Sequence, residues 1–170
     1  MDATKKRQIS ELIMHIKDNC PGNIPMTKLW KLCFFAESEY FDKYSDRLTN
    51  VQYIKNILGP TPDWKVAKKA IADNEKIESY KWLDENKKQV IENVCMRFGN
   101  LSTSQLVTLS YQDPVYLMAE KNEVVNFENV FYKDFEEDFE EYYEFCDSCE
   151  KNIKLTKKQR EGLFSLVDCS

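Results

Sequence analysis

The chain has 170 residues, 42% of them hydrophobic and 13% aromatic, with four glycines, five prolines and a net charge of −5. That mix is globular, not disordered or collagen-like, and the length suits one domain with room for an appended tail. The acidic balance argues against direct nucleic-acid binding, and the longest apolar runs, such as residues 32–36, fall far short of the ~20 residues that cross a bilayer.

The opening residues, Met1-Asp2-Ala3-Thr4-Lys5-Lys6-Arg7, run into an amphipathic stretch broken by charges and carry no apolar signal core. The expectation is a cytoplasmic protein, with the thiols of Cys20, Cys33, Cys95, Cys146, Cys149 and Cys169 free. Cys146-x-x-Cys149 is half of a zinc knuckle without a second half. Cys33 and Cys95 lie on apolar helical faces, as thiols acting as small hydrophobes do. No metal and no cofactor are expected.

Ile9, Leu12, Ile13 and Ile16 fall at helical spacing and define one face of a first helix, which Pro21-Gly22 ends. A second helix opens after Pro25. Leu29, Leu32, Cys33 and Ala36 line one side of it and Trp30, Phe34 and Phe41 another, so it carries nearly two apolar stripes. Such a helix is either the buried centre of the fold or keeps one stripe for a partner.

Residues 48–57 shift to β-branched and aromatic types and predict a short strand, which Gly59-Pro60-Thr61-Pro62 closes as a rigid structural turn. Asp63 is the expected N-cap of a helix with Trp64, Ala67, Ala70 and Ile71 inward, and residues 75–81 are the expected second strand. Asp84 caps a helix carrying Val90, Ile91, Val94 and Phe98, with Gly99 expected in the left-handed position at its end. Ser102-Thr-Ser-Gln105 is a capping box that opens the next helix, and Asp113-Pro114 interrupts it.

The composition then changes. Residues 134–150 hold nine acids and no Lys or Arg, while Phe131, Phe135, Phe139, Tyr142, Tyr143 and Cys146 recur at helical spacing. An amphipathic helix with an aromatic face and an acidic face is expected. It is followed by a last helix opened by Thr156-Lys-Lys-Gln159. The fold class that emerges is mainly α (α+β), a helical domain with a small two- or three-stranded antiparallel sheet. The expected division is a domain over 1–125, and the acidic and C-terminal helices over 126–170.

Catalytic templates find no match. The four glycines fit neither a phosphate loop nor a dinucleotide fingerprint. His15 is the single histidine, and it lies in a lysine-rich helix where most such residues have no chemical role. Acids at helical spacing are usually a solvated face. The lysine groups 65, 68 and 69, and 157, 158 and Arg160, are too sparse for a phosphate-binding stripe. The expectation is a protein that is not an enzyme and works by binding another protein.

The order of segments from 27 to 119 resembles the Panacea domain of SocA-like antitoxins. The likeness lies first in 27–36, Thr-Lys-Leu-Trp-Lys-Leu-Cys-Phe-Phe-Ala, against a helix of the KLQKLLYFA type. It continues through 40–49, the Gly59-Pro60 turn, 98–102 and 106–114. Ser45 stands where the family commonly has glycine, Leu58 where a His or Tyr precedes the Gly-Pro pair, and Tyr111 where a His is frequent. The resemblance implies a helical protein with a small sheet that neutralises a cognate toxin by direct complex formation in a bacterial or phage toxin–antitoxin system. The alternative from a different class is a phage- or mobile-element-encoded adaptor that binds a host protein. Aromatic anchors carry most interface energy, which makes Trp30, Phe34, Phe41, Tyr44 and Trp64 the candidate partner-binding residues. Glu137, Glu140, Glu141 and Glu144 would be the electrostatic complement of a basic toxin.

Overall fold

The computed structural model describes residues 3–63 and 80–134 and, between them, the helical residues Lys65, Ala67, Lys68 and Ala70. The chain divides into two compact units, 1–130 and 131–170. The second is described only over its first residues, the end of a 3-10 helix spanning Phe127–Asp134. The expected acidic and C-terminal helices therefore lie outside the described residues.

The first unit is predominantly helical with a small antiparallel sheet. Helix α1 (Ala3–Asn19) buries Ile9, Leu12, Ile13 and Ile16 completely, which is the face its spacing predicts. Helix α2 (Met26–Tyr44) starts behind Pro25, and every residue from Leu29 to Ser38 is buried. Both of its apolar stripes are covered, so it is the centre of the fold. Helix α3 (Glu85–Phe98) packs on α1 and α2 and inserts Val90, Ile91 and Val94. Asp84 caps it by accepting from Lys87 N at 3.0 Å. Helix α4 (Thr103–Tyr111) lies against α2 and opens with the expected capping box. In that box Ser102 N donates to Gln105 Oε1 at 2.9 Å and Gln105 N to Ser102 Oγ at 3.2 Å. A single turn, α5 (Pro114–Leu117), follows, with Asp113 as N-cap and Pro114 in its first position.

The sheet departs from expectation. Strand β1 covers only Tyr53–Asn56, and its partner is the Gly-Pro segment itself, β2 (Gly59–Pro62). Gly59 has φ +86, as in hairpins whose turn is completed by a left-handed glycine. Of the segment expected to supply the second strand, Tyr80 and Lys81 are outside any strand and 75–79 lie outside the described residues. A third, strand-like stretch pairs with the other edge of β1 through an antiparallel bridge, Ile54 to Val124. The bonds Lys55 N to Glu123 O and Val125 N to Tyr53 O, both 2.9 Å, flank that bridge.

The inner face of the sheet joins the aromatic core. Tyr53 packs between Phe34 and Phe127, with ring centroids 6.3 and 5.6 Å away, and Phe35 stacks on Phe98 at 4.9 Å. Cys20, Cys33 and Cys95 are buried free thiols. Gly99 is not left-handed; its φ is −61. Space explains it instead, because a Cβ there would press on the carbonyl of Cys95 and stand 3.1 Å from Cys20 Sγ. Its carbonyl also accepts from Lys28 Nζ at 2.7 Å.

The left-handed cap falls at the end of α2, where Ser45 has φ 52 and ψ 29 and donates its N–H to Phe41 O at 2.7 Å. This is the position where the resemblance places glycine. A side chain in that conformation costs roughly 1–2 kcal/mol, so Ser45→Gly should raise stability by about 1 kcal/mol. Urea unfolding followed by circular dichroism measures the difference.

Candidate partner-binding surface

Several polar side chains buried inside the first unit hold backbone, directly or through a second side chain. Glu11, fully buried in α1, accepts from the N–H groups of Lys81, Trp82 and Leu83 at 2.7–3.1 Å and from Arg7 Nε at 2.7 Å. Burial pushes its carboxyl upward, but those donors more than reverse the effect and hold it below the usual carboxylate range. Ser38 donates to Asp113 Oδ2 at 3.2 Å while Asp113 Oδ1 accepts from Val115 N at 2.9 Å, which ties the start of α5 to α2.

Glu37, also fully buried in α2, fixes the loop after the helix. It accepts from Arg47 Nε at 3.1 Å and from Thr49 Oγ1. Arg47 in turn reaches Val51 O at 2.7 Å and lies over the Phe127 ring at 4.2 Å. Burial raises the Glu37 carboxyl above its ordinary range even though Arg47 and Thr49 pull it down. Close by in the same core, the hydroxyl of Tyr53 has no partner among the described residues.

Lys31 is the most unusual of the set. No part of it is exposed, and its ammonium donates to Pro60 O at 2.8 Å. Gly59 makes that approach possible, since a Cβ there would overlap Ser110 Oγ and stand 2.9 Å from Lys31 Nζ. Burial lowers the Lys31 pKa to about 7.

On this frame the candidate aromatics take different places. Trp30 and Phe34 are buried in the core, where α1, α3 and the sheet close over both stripes of α2. Phe41 and Tyr44 are partly buried on the rim; Phe41 lies 6.5 Å from the Phe127 ring, and Tyr44 stacks on Tyr40 at 4.7 Å under Lys43. Gly59 and Pro60 form the start of β2, not a bare turn. Trp64, Glu137, Glu140, Glu141 and Glu144 lie outside the described residues.

The apolar side chains that do face solvent were not candidates from the sequence. Ile57 at the hairpin tip is 49% exposed, Val124 51% and Met118 39%. Ile54, half-buried, shares the outer sheet face with Val124 and Thr61. Two tyrosines brace the tip: Tyr111 donates to Ile57 O and Tyr116 to Asn56 O at 3.2 Å, with their rings 5.1 Å apart. Lys55 runs beneath them, over the Tyr116 ring at 4.5 Å and onto Ala119 O at 3.0 Å. Alternation in 51–57 was legible, but nothing local marks 122–125 as a strand or the tip as exposed. Among the described residues no group of His, Cys, Asp and Glu is arranged to hold a metal ion, and no helix is long and apolar enough to cross a membrane.

A family model described as antitoxin SocA-like, Panacea domain, matches residues 29–115, half of the chain. The chain belongs to the SocA-like Panacea family. The matched Panacea stretch runs from the first buried turn of α2 to the start of α5, and so holds Lys31, Glu37, Ser38, Arg47, Gly59, Pro60 and Asp113. The family implies a protein partner. Neither the curated proteins nor the solved structures give a significant match.

Two measurements test the Panacea frame. Arg47→Ala strands the buried Glu37 carboxylate, and losing one member of a buried pair should cost about 3 kcal/mol or more in chemical unfolding. Lys31 binds fewer protons folded than unfolded between about pH 7 and the ordinary lysine value of 10.5, so its contribution to stability rises with pH across that window. Against Lys31→Met, which has no such titration, the melting temperature of the wild-type chain should gain steadily from pH 7 to pH 9.5. A constant difference between the two would contradict the assignment.

Proposed function

We propose that the chain is an antitoxin, which neutralises a cognate toxin encoded beside it in a bacterial or phage genome by forming a direct protein complex in the cytoplasm. The Panacea match over residues 29–115 carries this reading. The use of the buried polar groups supports it: Glu11, Lys31 and Asp113 hold backbone directly and Glu37 does so through Arg47, so each is occupied in fixing the frame. A rigid frame that presents a surface suits binding without turnover. Pre-organisation of that kind strengthens a complex by reducing what must be ordered when it forms.

The test is to induce the product of the adjacent gene with and without this chain in the same cell. Growth arrest relieved by co-expression, together with a complex of fixed stoichiometry on purification, is the expected result. Protection should require about one copy of the chain per toxin. Protection by far fewer copies would mark catalysis, and failure of both rescue and co-purification would end the antitoxin reading.

A further inference from the structure

Resting on the reading that the partner is a protein, we propose that the edge of the sheet at Val124 receives an extended segment of that partner as an added strand. The two edges of the sheet present different backbone groups to solvent. Lys55 N bonds Glu123 O and Val125 N bonds Tyr53 O on either side of the Ile54–Val124 bridge. In an antiparallel pair flanked in this way, residues 123 and 125 turn their polar groups toward β1, and residue 124 turns its N–H and C=O outward. Neither group of Val124 has a partner among the described residues, and Val124 is 51% exposed.

The opposite edge is closed. Tyr53 pairs with Pro62 and Lys55 with Pro60, which leaves Ile54 and Thr61 to bond each other and turns both prolines outward. Neither proline has an N–H, and the carbonyl of Pro60 already holds Lys31 Nζ at 2.8 Å. Such an edge cannot template another strand. The sheet thus has one silenced edge and one with an outward donor and acceptor, the arrangement that strand addition uses.

The surroundings specify the chemistry of the incoming segment. Val124 and Ile54 stand side by side on the outer face and offer an apolar contact to a residue placed opposite. Glu120 and Glu123, in the turn that leads into this edge, are exposed and in no ion pair among the described residues, with Lys121 the one cation between them. The fitting segment is an extended run with a β-branched or aromatic residue flanked by Lys or Arg. The carboxylates speed its approach and the edge sets its register.

The test uses the full chain and the purified product of the adjacent gene. Val124→Pro deletes the outward N–H without touching a bond to β1, and should weaken the complex by about thirty-fold or more while the circular dichroism spectrum is retained. The double variant E120K/E123K should slow association at low salt, with the loss shrinking at 0.5 M salt. If Val124→Pro does not fold, hydrogen exchange of the wild-type chain decides: the Val124 amide should become protected on complex formation. Full-affinity binding by a folded Val124→Pro, or an unprotected Val124 amide in the complex, overturns this proposal and leaves the antitoxin reading intact. A wild-type chain that is a dimer by light scattering and becomes monomeric with Val124→Pro also overturns it, by assigning the edge to a second copy. If the wild-type chain binds no adjacent product at all, the antitoxin reading falls and this proposal with it.

Discussion

A helix that is apolar on nearly all sides has to be covered on nearly all sides, and α2 imposes that demand on everything around it. Between Leu29 and Ser38 every residue is buried, so α1, α3, α4 and the sheet are arranged as its cover. Burial of this kind is the main source of stabilisation in a domain of such size. It also creates a problem, because Lys31, Glu37 and Ser38 lie within the same stretch and each must find a partner away from water. The three solutions differ in direction. Lys31 reaches the hairpin, Glu37 the loop after the helix, and Ser38 the cap of α5. One helix therefore fixes the positions of three irregular segments that its apolar residues alone could not specify.

The family match follows the same outline. It begins and ends with α2 and the cap of α5, the two ends of this set of polar attachments. The departures from the family pattern acquire physical content in the structure. Ser45 occupies a left-handed cap where glycine would be unstrained. Tyr111 spans from α4 to the hairpin tip, and with Tyr116 it holds the short turn that displays Ile57. Leu58, beside that residue, lies in the turn itself and is half-buried.

Local rules made most of the helices legible. The periodicity of α1, the cap at Asp84, the box at Ser102 and the Asp113-Pro114 break each involve residues a few positions apart, so their meaning does not depend on distant chain. Tertiary context decides the rest. Residues 59–62 read locally as a rigid turn, yet they form a strand in which Pro60 and Pro62 sit at the outward positions where a missing N–H is harmless. Gly99 looked like a left-handed cap and proved to be a matter of room beside Cys20. Large aromatics such as Trp30 and Phe34 serve cores and interfaces equally well, so local sequence alone does not show which of them the core buries. Val124 and Ile57 passed unnoticed for the converse reason: aliphatic residues declare themselves as surface only once the surrounding chain is in place.

The attachment of Glu11 to residues 81–83 bears on how the molecule is born. The carboxylate is synthesised 70 residues ahead of its first backbone donor. At about 5–20 residues per second it leaves the ribosome several seconds before that donor exists. Through that interval Ile9, Leu12, Ile13 and Ile16 have no α3 to lie against, and α1 travels as a nascent amphipathic segment open to chaperones and proteases. A transiently uncovered apolar face of this kind is a kinetic demand that the equilibrium stability of the completed fold does not measure.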